Sequence, residues 1–252
     1  NIDLNGITKE RIYSRDQNIL HVSHEGGMLE NPGIEPDFEE LLLMTNTVEK
    51  APDLAEYVEI EFEKGIPVKL NNKKLNGEDM LKSLNKIGGT HGIGILDLLE
   101  NRLVGMKSRG VYETPGGTIL LEAHKYLESF VLEKEEAHFK EIVAQKYAEL
   151  VYNAMWYSGF KQALDAFIDS TQEKVSGKVK LKLYKGTIKF AGMTSENALY
   201  NESISSFATG DLYDQKDATG FIHLFSLPYK IQAYNKMNKN NKASDVVYSF
   251  KE

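Results

Sequence analysis

The sequence predicts an α+β fold, in which antiparallel β-hairpins pack with helices. Two segments alternate apolar and polar residues on either side of a Lys-Gly dipeptide, which is typical of a hairpin with a tight turn. Between and after these segments, apolar residues recur at the three-to-four spacing of amphipathic helices. Alternation with period two gives a strand one buried and one solvated face. This favours antiparallel sheets over a doubly wound parallel sheet.

The two predicted hairpins turn at Lys64-Gly65 and at Lys185-Gly186. Glutamates fill the polar positions before the first turn, and lysines fill those before the second. The apolar positions are Val58, Ile60, Phe62, Val68 and Leu70 in the first hairpin and Val179, Leu181, Leu183, Ile188 and Phe190 in the second. Each hairpin is therefore expected to bury one face.

The spacing of apolar residues also predicts five helical segments. The first, 80–87, is expected to end at Gly88-Gly89, and the second, 119–132, to be opened by Pro115. A long helix is predicted over 133–157, with acidic residues at its start, where the helix dipole favours them. A shorter helix is predicted around 164–168. In 220–237 the pattern is interrupted by Pro228, so a helix there should start afresh at or after the proline.

The composition excludes several classes of function. Thirty Lys and Arg residues against thirty-seven Asp and Glu give a net charge of −7, which disfavours binding to nucleic acid or to an anionic membrane. The chain has no cysteine and so no disulfide, cysteine-zinc site or thiol nucleophile. No apolar run approaches the roughly 20 residues that span a bilayer. We therefore expect a soluble, cytoplasmic protein.

Three motifs that could carry chemistry favour simpler interpretations. The glycine-rich run 88–94 lacks the Gly-Lys-Ser/Thr of a phosphate loop and the spacing of a dinucleotide fingerprint, which favours a turn that ends a helix. His21 and His24 lie in an alternating segment that would point them to opposite sides, so no metal site is expected. No Gly-x-Ser-x-Gly motif indicates an acyl-enzyme.

The densest polar cluster runs from Glu100 to Glu113 and directly follows an apolar run. It carries both signs of charge, with Arg102, Lys107 and Arg109 between the two glutamates. One interpretation is a site for a zwitterionic or polar small molecule. The other is a salt-bridged strand pair at a subunit contact. The residues alone leave both open.

This cluster closely resembles a segment of the argininosuccinate synthase family. The similarity covers the whole of residues 92–115 and continues in ordered blocks from about Ser14 to about Tyr234. The other similar blocks are 18–32, 51–68, 173–175, 181–186 and 213–222. Such an ordered set is very specific to the family.

The resemblance implies an ATP-dependent ligase that joins citrulline and aspartate, with Mg as the companion of ATP. In the family the ureido oxygen of citrulline attacks the α-phosphate of ATP to give citrullyl-AMP and pyrophosphate. The aspartate amine then displaces AMP to give argininosuccinate. By resemblance, citrulline is held by Ser14 and Ser23, nine residues apart, and by Glu100 and Tyr112, twelve apart. The family also implies a homotetramer, with C-terminal helix and tail in the subunit contacts. No catalytic residue and no metal ligand is expected in this chain.

The resemblance also implies a division of the enzyme. The family holds ATP phosphates with a Ser-Gly-Gly-x-Asp type loop in an N-terminal nucleotide-binding domain, and the 252 residues contain no such loop. We therefore expect a synthetase and multimerisation domain over 1–237, a polar tail over 238–252, and a nucleotide-binding domain that is absent from this chain. The alternative is that the chain, in this form, is a non-catalytic oligomerisation module.

Overall fold

The structure is a computed structural model, and it describes residues 12–205 and 214–237. Over these residues the chain forms nine β-strands in two antiparallel sheets, together with eight α-helices, which confirms the predicted α+β class. One compact unit ends at Leu199, and a second begins at Tyr200. The predicted tail, 238–252, lies outside the described residues.

Both predicted hairpins are confirmed within a five-stranded sheet. The first joins β3 (Glu56–Glu63) to β4 (Ile66–Leu70), and β5 (Lys73–Lys74) extends it at the edge. The second joins β8 (Gly177–Tyr184) to β9 (Thr187–Thr194), and the strand order is β5-β4-β3-β8-β9. In each Lys-Gly turn both residues have positive φ, as in the two-residue turns that match the twist of paired strands.

The main core forms where this sheet packs on two helices, α2 (Gly77–Thr90) and α3 (Pro115–Val131). Alternation places the apolar side chains of β3 and β8 on the face toward these helices, while their charged neighbours stay in solvent. The fully buried sheet residues are Val58, Ile60, Val179, Leu181 and Leu183. The five-stranded sheet therefore packs α2 and α3 on one of its faces.

Helix α2 continues through Gly88 and Gly89 and ends at Thr90, three residues beyond the predicted end at residue 87. The two glycines allow close packing, since a Cβ on Gly88 would lie 2.8 Å from Ile119 Cδ1 and one on Gly89 would lie 2.2 Å from the Met44 carbonyl oxygen. The helix ends because Gly92 adopts φ +72°. The N–H groups of Ile93 and Gly92 then bond the carbonyls of Gly88 and Gly89, which is a Schellman motif.

The long predicted helix is shorter than expected. Helix α4 spans Lys134–Tyr152, and α5 (Gly159–Gln172) follows after a turn. Ala154 adopts φ +56°, and the N–H groups of Met155 and Ala154 bond the carbonyls of Leu150 and Val151. This is again a Schellman motif, but with alanine at the position that usually holds glycine. Without a glycine at this position, the end of the helix could not be predicted from the residue pattern.

A separate four-stranded sheet carries the residues that the resemblance singled out. It consists of β1 (Tyr13–Gln17), β2 (Val22–Gly26), β6 (Ile95–Asn101) and β7 (Lys107–Glu113), in the order β1-β2-β7-β6. A 3-10 helix over Gly27–Glu30 and the short helix α1 (Phe38–Leu41) cover one of its faces. Leu29, Leu41 and Val111 form a small core on that face, and the other face of the sheet is not part of this core.

The described residues of the second unit form three helices, α6 (Glu202–Ser205), α7 (Asp217–Phe225) and α8 (Leu227–Met237). The predicted restart near Pro228 occurs one residue earlier, at Leu227. Pro228 then sits in the first turn of α8, where a missing N–H costs no helical hydrogen bond. Among the helices of the described residues, none has the length and apolar character needed to cross a membrane.

Candidate functional site

The register of the four-stranded sheet places the four predicted citrulline residues on one face. Ser14 lies opposite Glu25, Ser23 lies opposite Asp16 and Tyr112, and Glu100 lies opposite Ser108. Directly opposed residues share a face, and so do alternate residues of one strand. We call this surface the Tyr112 face. Its members are Ser14, Asp16, Ser23, Glu25, Leu96, Leu98, Glu100, Ser108, Gly110 and Tyr112.

Tyr112 and Glu100 are in direct contact on this face. The Tyr112 hydroxyl donates a 3.0 Å hydrogen bond to Oε2 of Glu100. Burial raises the pKa of the Tyr112 hydroxyl well above its usual value of about 10, and the hydrogen bond to Glu100 and the nearby negative charges of Glu100 and Glu25 raise it further. The phenol is therefore a fixed hydrogen-bond donor, and the remaining acceptor positions of Glu100 are open to another partner.

Ser14 and Ser23 differ in their surroundings although they share the face. Ser23 is buried on the inner strand β2, beside Tyr112, whereas Ser14 is exposed on the edge strand β1. The two residues are diagonal neighbours across the β1–β2 pair, so their side chains lie roughly 7–8 Å apart. A polar ligand of a few heavy atoms in length can reach both.

The opposite face of the same sheet holds a buried polar pair. His24 Nε2 lies 2.8 Å from Oε1 of Glu113, and both side chains are fully buried. His21, by contrast, lies outside the strand, where its ring centroid is 6.5 Å from that of Tyr112. The two histidines therefore have different partners. In residues 12–205 and 214–237, no group of three or more His, Asp or Glu side chains could hold a metal ion.

The mixed-charge cluster forms ion pairs on both faces of the sheet. Arg109 bonds both carboxylate oxygens of Asp97, at 2.9 and 2.7 Å, on the face opposite Tyr112. Arg102 reaches from the β6–β7 turn to Oε2 of Glu25 at 2.7 Å, on the Tyr112 face. The cluster is thus a salt-bridged strand pair, and the same strands also present Glu100 and Tyr112. The salt bridges of the second interpretation are confirmed, whereas its subunit contact and the ligand site of the first interpretation stay predictions.

A cavity of about 480 Å³ borders the Tyr112 face at Leu96 and Tyr112 and extends to the start of α3. Thr114, Thr118 and Glu122 supply its polar lining. A larger cavity of about 630 Å³ shares Ile95 with the first cavity but is lined by none of the four predicted residues. Size alone would therefore select the wrong cavity for the Tyr112 face.

Comparison with known proteins assigns the chain to a family. The family described as Arginosuccinate synthase C-terminal domain matches residues 13–232, which include both sheets and most of the described helices. The chain belongs to this family.

Individual relatives agree with this assignment. The chain is 62% identical over 227 residues to the argininosuccinate synthase of Clostridium novyi, a match that covers 90% of this chain and 56% of the relative. It is 57% identical over 227 residues to that of Carboxydothermus hydrogenoformans, with the same coverage, and 55% identical over 228 residues to that of Brachyspira hyodysenteriae. The chain thus spans about half the length of these curated argininosuccinate synthases.

Within this C-terminal domain, the structure brings together all four residues that the resemblance selected, and it adds two that the sequence reasoning missed. Glu25 shares the Tyr112 face and pairs with Arg102, and Gly110 lies between Glu25 and Leu98 in the middle of the sheet. The i, i+2 spacing of Ser23 and Glu25 on a strand could have identified Glu25. Nothing in the sequence pattern alone would have identified Gly110. The ligand roles of all these residues remain predictions.

Proposed function

We propose that this chain supplies the citrulline-binding face of an argininosuccinate synthase, an ATP-dependent ligase that joins citrulline and aspartate into argininosuccinate with release of AMP and pyrophosphate. The observation that carries the proposal is the grouping of Ser14, Ser23, Glu100 and Tyr112 on one sheet face, with Tyr112 bonded to Glu100. Ser14 and Tyr112 lie on this same face although they are 98 positions apart in the chain. A shared ligand accounts for this grouping of four polar side chains.

The charges of the face suit the amino-acid end of citrulline. Glu100 takes part in none of the ion pairs formed among the described residues, unlike Glu25, which Arg102 neutralises. A carboxylate without a cation can pair with the α-ammonium group of a ligand through a charge-assisted hydrogen bond. The hydroxyls of Ser14 and Ser23 can bond the ligand's carboxylate or ureido group. In this proposal the chain binds and orients citrulline rather than transferring protons.

ATP with its Mg, and aspartate, belong in this proposal to the part of the enzyme beyond this chain. Two facts support the division: the match covers only 56% of the relative from Clostridium novyi, and the 252 residues have no Ser-Gly-Gly-x-Asp loop. Residues 1–237 then act as the synthetase and multimerisation domain, followed by the tail over 238–252. The proposal also places the enzyme in the cytoplasm, which suits a chain without cysteine.

Replacing Glu100 by glutamine in the complete enzyme tests the proposal. Because a hydrogen bond to a charged group contributes about 1.5–3 kcal/mol, E100Q should raise the citrulline KM roughly 10- to 100-fold. The KM values for ATP and aspartate should change little. Glu78→Gln is the matched control, since Glu78 is a solvent-exposed residue of α2, and its citrulline KM should equal that of the wild type. An unchanged citrulline KM in E100Q would remove Glu100 from its role.

Assembly is the second candidate function, because large apolar side chains are exposed along α4 and the turn that follows it. Ile142 is 65% exposed and Tyr157 is 90% exposed, with Phe139 and Trp156 also more than half exposed. Exposed apolar patches of this kind mark interaction sites. We propose a homotetramer that buries them, with α8 in the subunit contacts.

Mixing this chain with its nucleotide-binding part separates the two functions. Recovery of argininosuccinate formation supports a ligase domain with an intact site. Assembly without turnover, measured by sedimentation velocity and by argininosuccinate release, leaves only the oligomerisation module. Ile142→Glu should reduce the assembled species, and no change in sedimentation would argue against this surface as the contact.

A further inference from the structure

Gly110 occupies a position where a β-strand does not ordinarily place glycine. It lies inside β7, paired with Glu25 on β2 and with Leu98 on β6, and neither pairing contains a bulge. Its φ is outside the left-handed region, so the backbone conformation is open to any residue. Glycine in a strand interior weakens the strand and often marks a close approach. The strand backbone therefore does not require glycine here, and the reason must be a group that packs against the face of the strand.

The group above Gly110 is the ring of Tyr112. A Cβ placed on Gly110 would lie 2.9 Å from Tyr112 Cε2, 2.9 Å from its hydroxyl oxygen and 3.0 Å from Cζ. These are the three nearest atoms, and all belong to the phenol end of one side chain. The bare backbone of Gly110 is thus the surface on which the Tyr112 phenol rests.

This contact determines where the hydroxyl points. Tyr112 and Gly110 are alternate residues on one face, and Glu100 lies opposite Ser108, two residues further along the strand. The Tyr112 ring therefore lies along β7, across the Gly110 position, and its hydroxyl meets Glu100 at 3.0 Å. A methyl group on Gly110 would occupy the space of the ring and lift the hydroxyl away from Glu100.

We propose that Gly110 is a positioning residue for citrulline recognition: it seats the phenol of Tyr112 so that the hydroxyl holds the Glu100 carboxylate in its binding orientation. The inference rests on the proposed function for the role of Glu100. The contact between the Gly110 backbone and the Tyr112 phenol, which we call the seat, does not depend on any ligand. The clash with alanine falls on the far end of a side chain rather than on backbone, so the fold should survive the substitution.

The test is Gly110→Ala in the complete enzyme. We expect the citrulline KM to rise about tenfold with kcat nearly unchanged, because the displaced groups bind the substrate in the ground state and the transition state alike. Gly159→Ala is the matched control, since a Cβ there meets no atom within 4 Å, and its citrulline KM should not change. A citrulline KM that stays at the wild-type value in G110A, while E100Q raises it, overturns the positioning role.

A double-mutant cycle distinguishes positioning from a general structural effect. If Gly110 acts through Tyr112, then adding Gly110→Ala to Tyr112→Phe should change the citrulline KM less than it does in the wild type. An equal effect in both backgrounds overturns the proposal. If G110A alone does not fold, the pair G110A and Y112A, which removes the ring, should fold. Failure of that pair also overturns the seat.

A readout without substrate separates this inference from the proposed function. In enzyme labelled at tyrosine Cζ, the NMR resonance that disappears in Tyr112→Phe should shift in Gly110→Ala and stay in place in Gly159→Ala. An unmoved resonance overturns the seat, whatever E100Q does. If E100Q leaves the citrulline KM unchanged, the proposed function fails and the citrulline role of Gly110 falls with it, while a shifted resonance still supports the seat.

Discussion

The Nε2 atom of His24 lies 2.8 Å from Oε1 of Glu113, although the two residues are 89 positions apart in the chain. Arg15 Nε donates to Nδ1 of His24 at 3.1 Å, so Nδ1 is an acceptor and the imidazole proton resides on Nε2, from which it is donated to Glu113. The pair lies directly behind Tyr112 and joins β2 to β7. The back of the sheet therefore holds the strands that present Ser23 and Tyr112.

Glu113 also anchors the segment that follows α1. Its carboxylate accepts hydrogen bonds from the backbone N–H groups of Leu43, Met44 and Thr45, at 2.8, 2.7 and 2.7 Å. Burial alone would raise the pKa of Glu113, but the hydrogen bonds from His24 and from the backbone of Leu43 and Met44 outweigh it and hold that pKa below its usual range. The folded state therefore stabilises the ionised form of Glu113.

Replacing Glu113 by glutamine should lower the free energy of unfolding by about 2–4 kcal/mol at pH 7, because a buried set of charge-assisted hydrogen bonds loses its charge. A carboxyl whose pKa is lowered by folding adds stability above its unfolded pKa, and the contribution is lost as the pH falls through the folded pKa. Urea midpoints followed by Trp156 fluorescence from pH 7 to pH 3 measure this. The wild type should lose stability more steeply than E113Q, and equal slopes would contradict the prediction. Gly159→Ala, which changes no titratable group, should follow the wild type.

Ala154→Gly should stabilise the first unit by about 0.5–1 kcal/mol. Ala154 closes the Schellman motif of α4 at φ +56°, where a Cβ is unfavourable and glycine is not. Ala148→Gly is the matched control, because Ala148 lies inside α4 and its replacement should destabilise by a similar amount. Urea unfolding measures the free energy of unfolding of both variants, which should rise in A154G and fall in A148G. A loss of stability in A154G would show that the left-handed turn is not maintained in solution.

Replacing Arg109 by lysine should destabilise by about 1–2 kcal/mol although the charge is kept. Arg109 bonds both oxygens of Asp97, and its Nη1 reaches the carbonyls of Asn31 and Ile34 at 3.3 and 2.9 Å. A lysine ammonium cannot make this planar set of contacts. Lys146→Arg on exposed α4 should leave the urea midpoint unchanged, as a control for the change of side chain. If the urea midpoint of R109K equals that of the wild type, the guanidinium of Arg109 does not make these contacts in solution.

Local patterns were sufficient to predict the hairpins and most helices. The alternation around Val58 and Val179 and the Lys-Gly turns are properties of neighbouring residues, and they determine which face is buried. The end of α4 could not be predicted, because it depends on a strained alanine that has no sequence signature. Gly88 lies inside α2, where a Cβ would be only 2.8 Å from Ile119 Cδ1, and this close packing is a tertiary effect that local patterns do not show.

The candidate site was predictable only through the family resemblance. Spacing alone does not show that Ser23 and Tyr112 are paired across β2 and β7, because the register of distant strands is set by packing. The same limit hid the contact between His24 and Glu113. Gly110 was missed for a different reason: glycine in a strand resembles a weak position until the ring above it is known.

Tyr112 should remain protonated well beyond the pH at which ordinary tyrosines ionise. Burial, the hydrogen bond to Glu100 and the charges of Glu100 and Glu25 all raise its pKa above about 10. The chain has 13 tyrosines, so an ordinary Tyr112 would contribute about one thirteenth of the phenolate absorbance near pH 10. We expect the wild type and Tyr112→Phe to titrate alike up to about pH 10.5.

The same raised pKa determines the sign of an alkaline effect on stability. A group whose pKa is raised by folding contributes stability below its unfolded pKa, and this contribution declines as the pH rises through the window between the unfolded and folded values. Above about pH 10 the wild type should therefore lose stability faster than Tyr112→Phe, which has no hydroxyl to ionise. Gly159→Ala changes no ionisable group, and its new Cβ meets no atom within 4 Å, so this control should lose stability with pH as the wild type does. Parallel urea midpoints for the wild type and Y112F between pH 9 and pH 11 would mean that the Tyr112 hydroxyl is not held by Glu100 in solution.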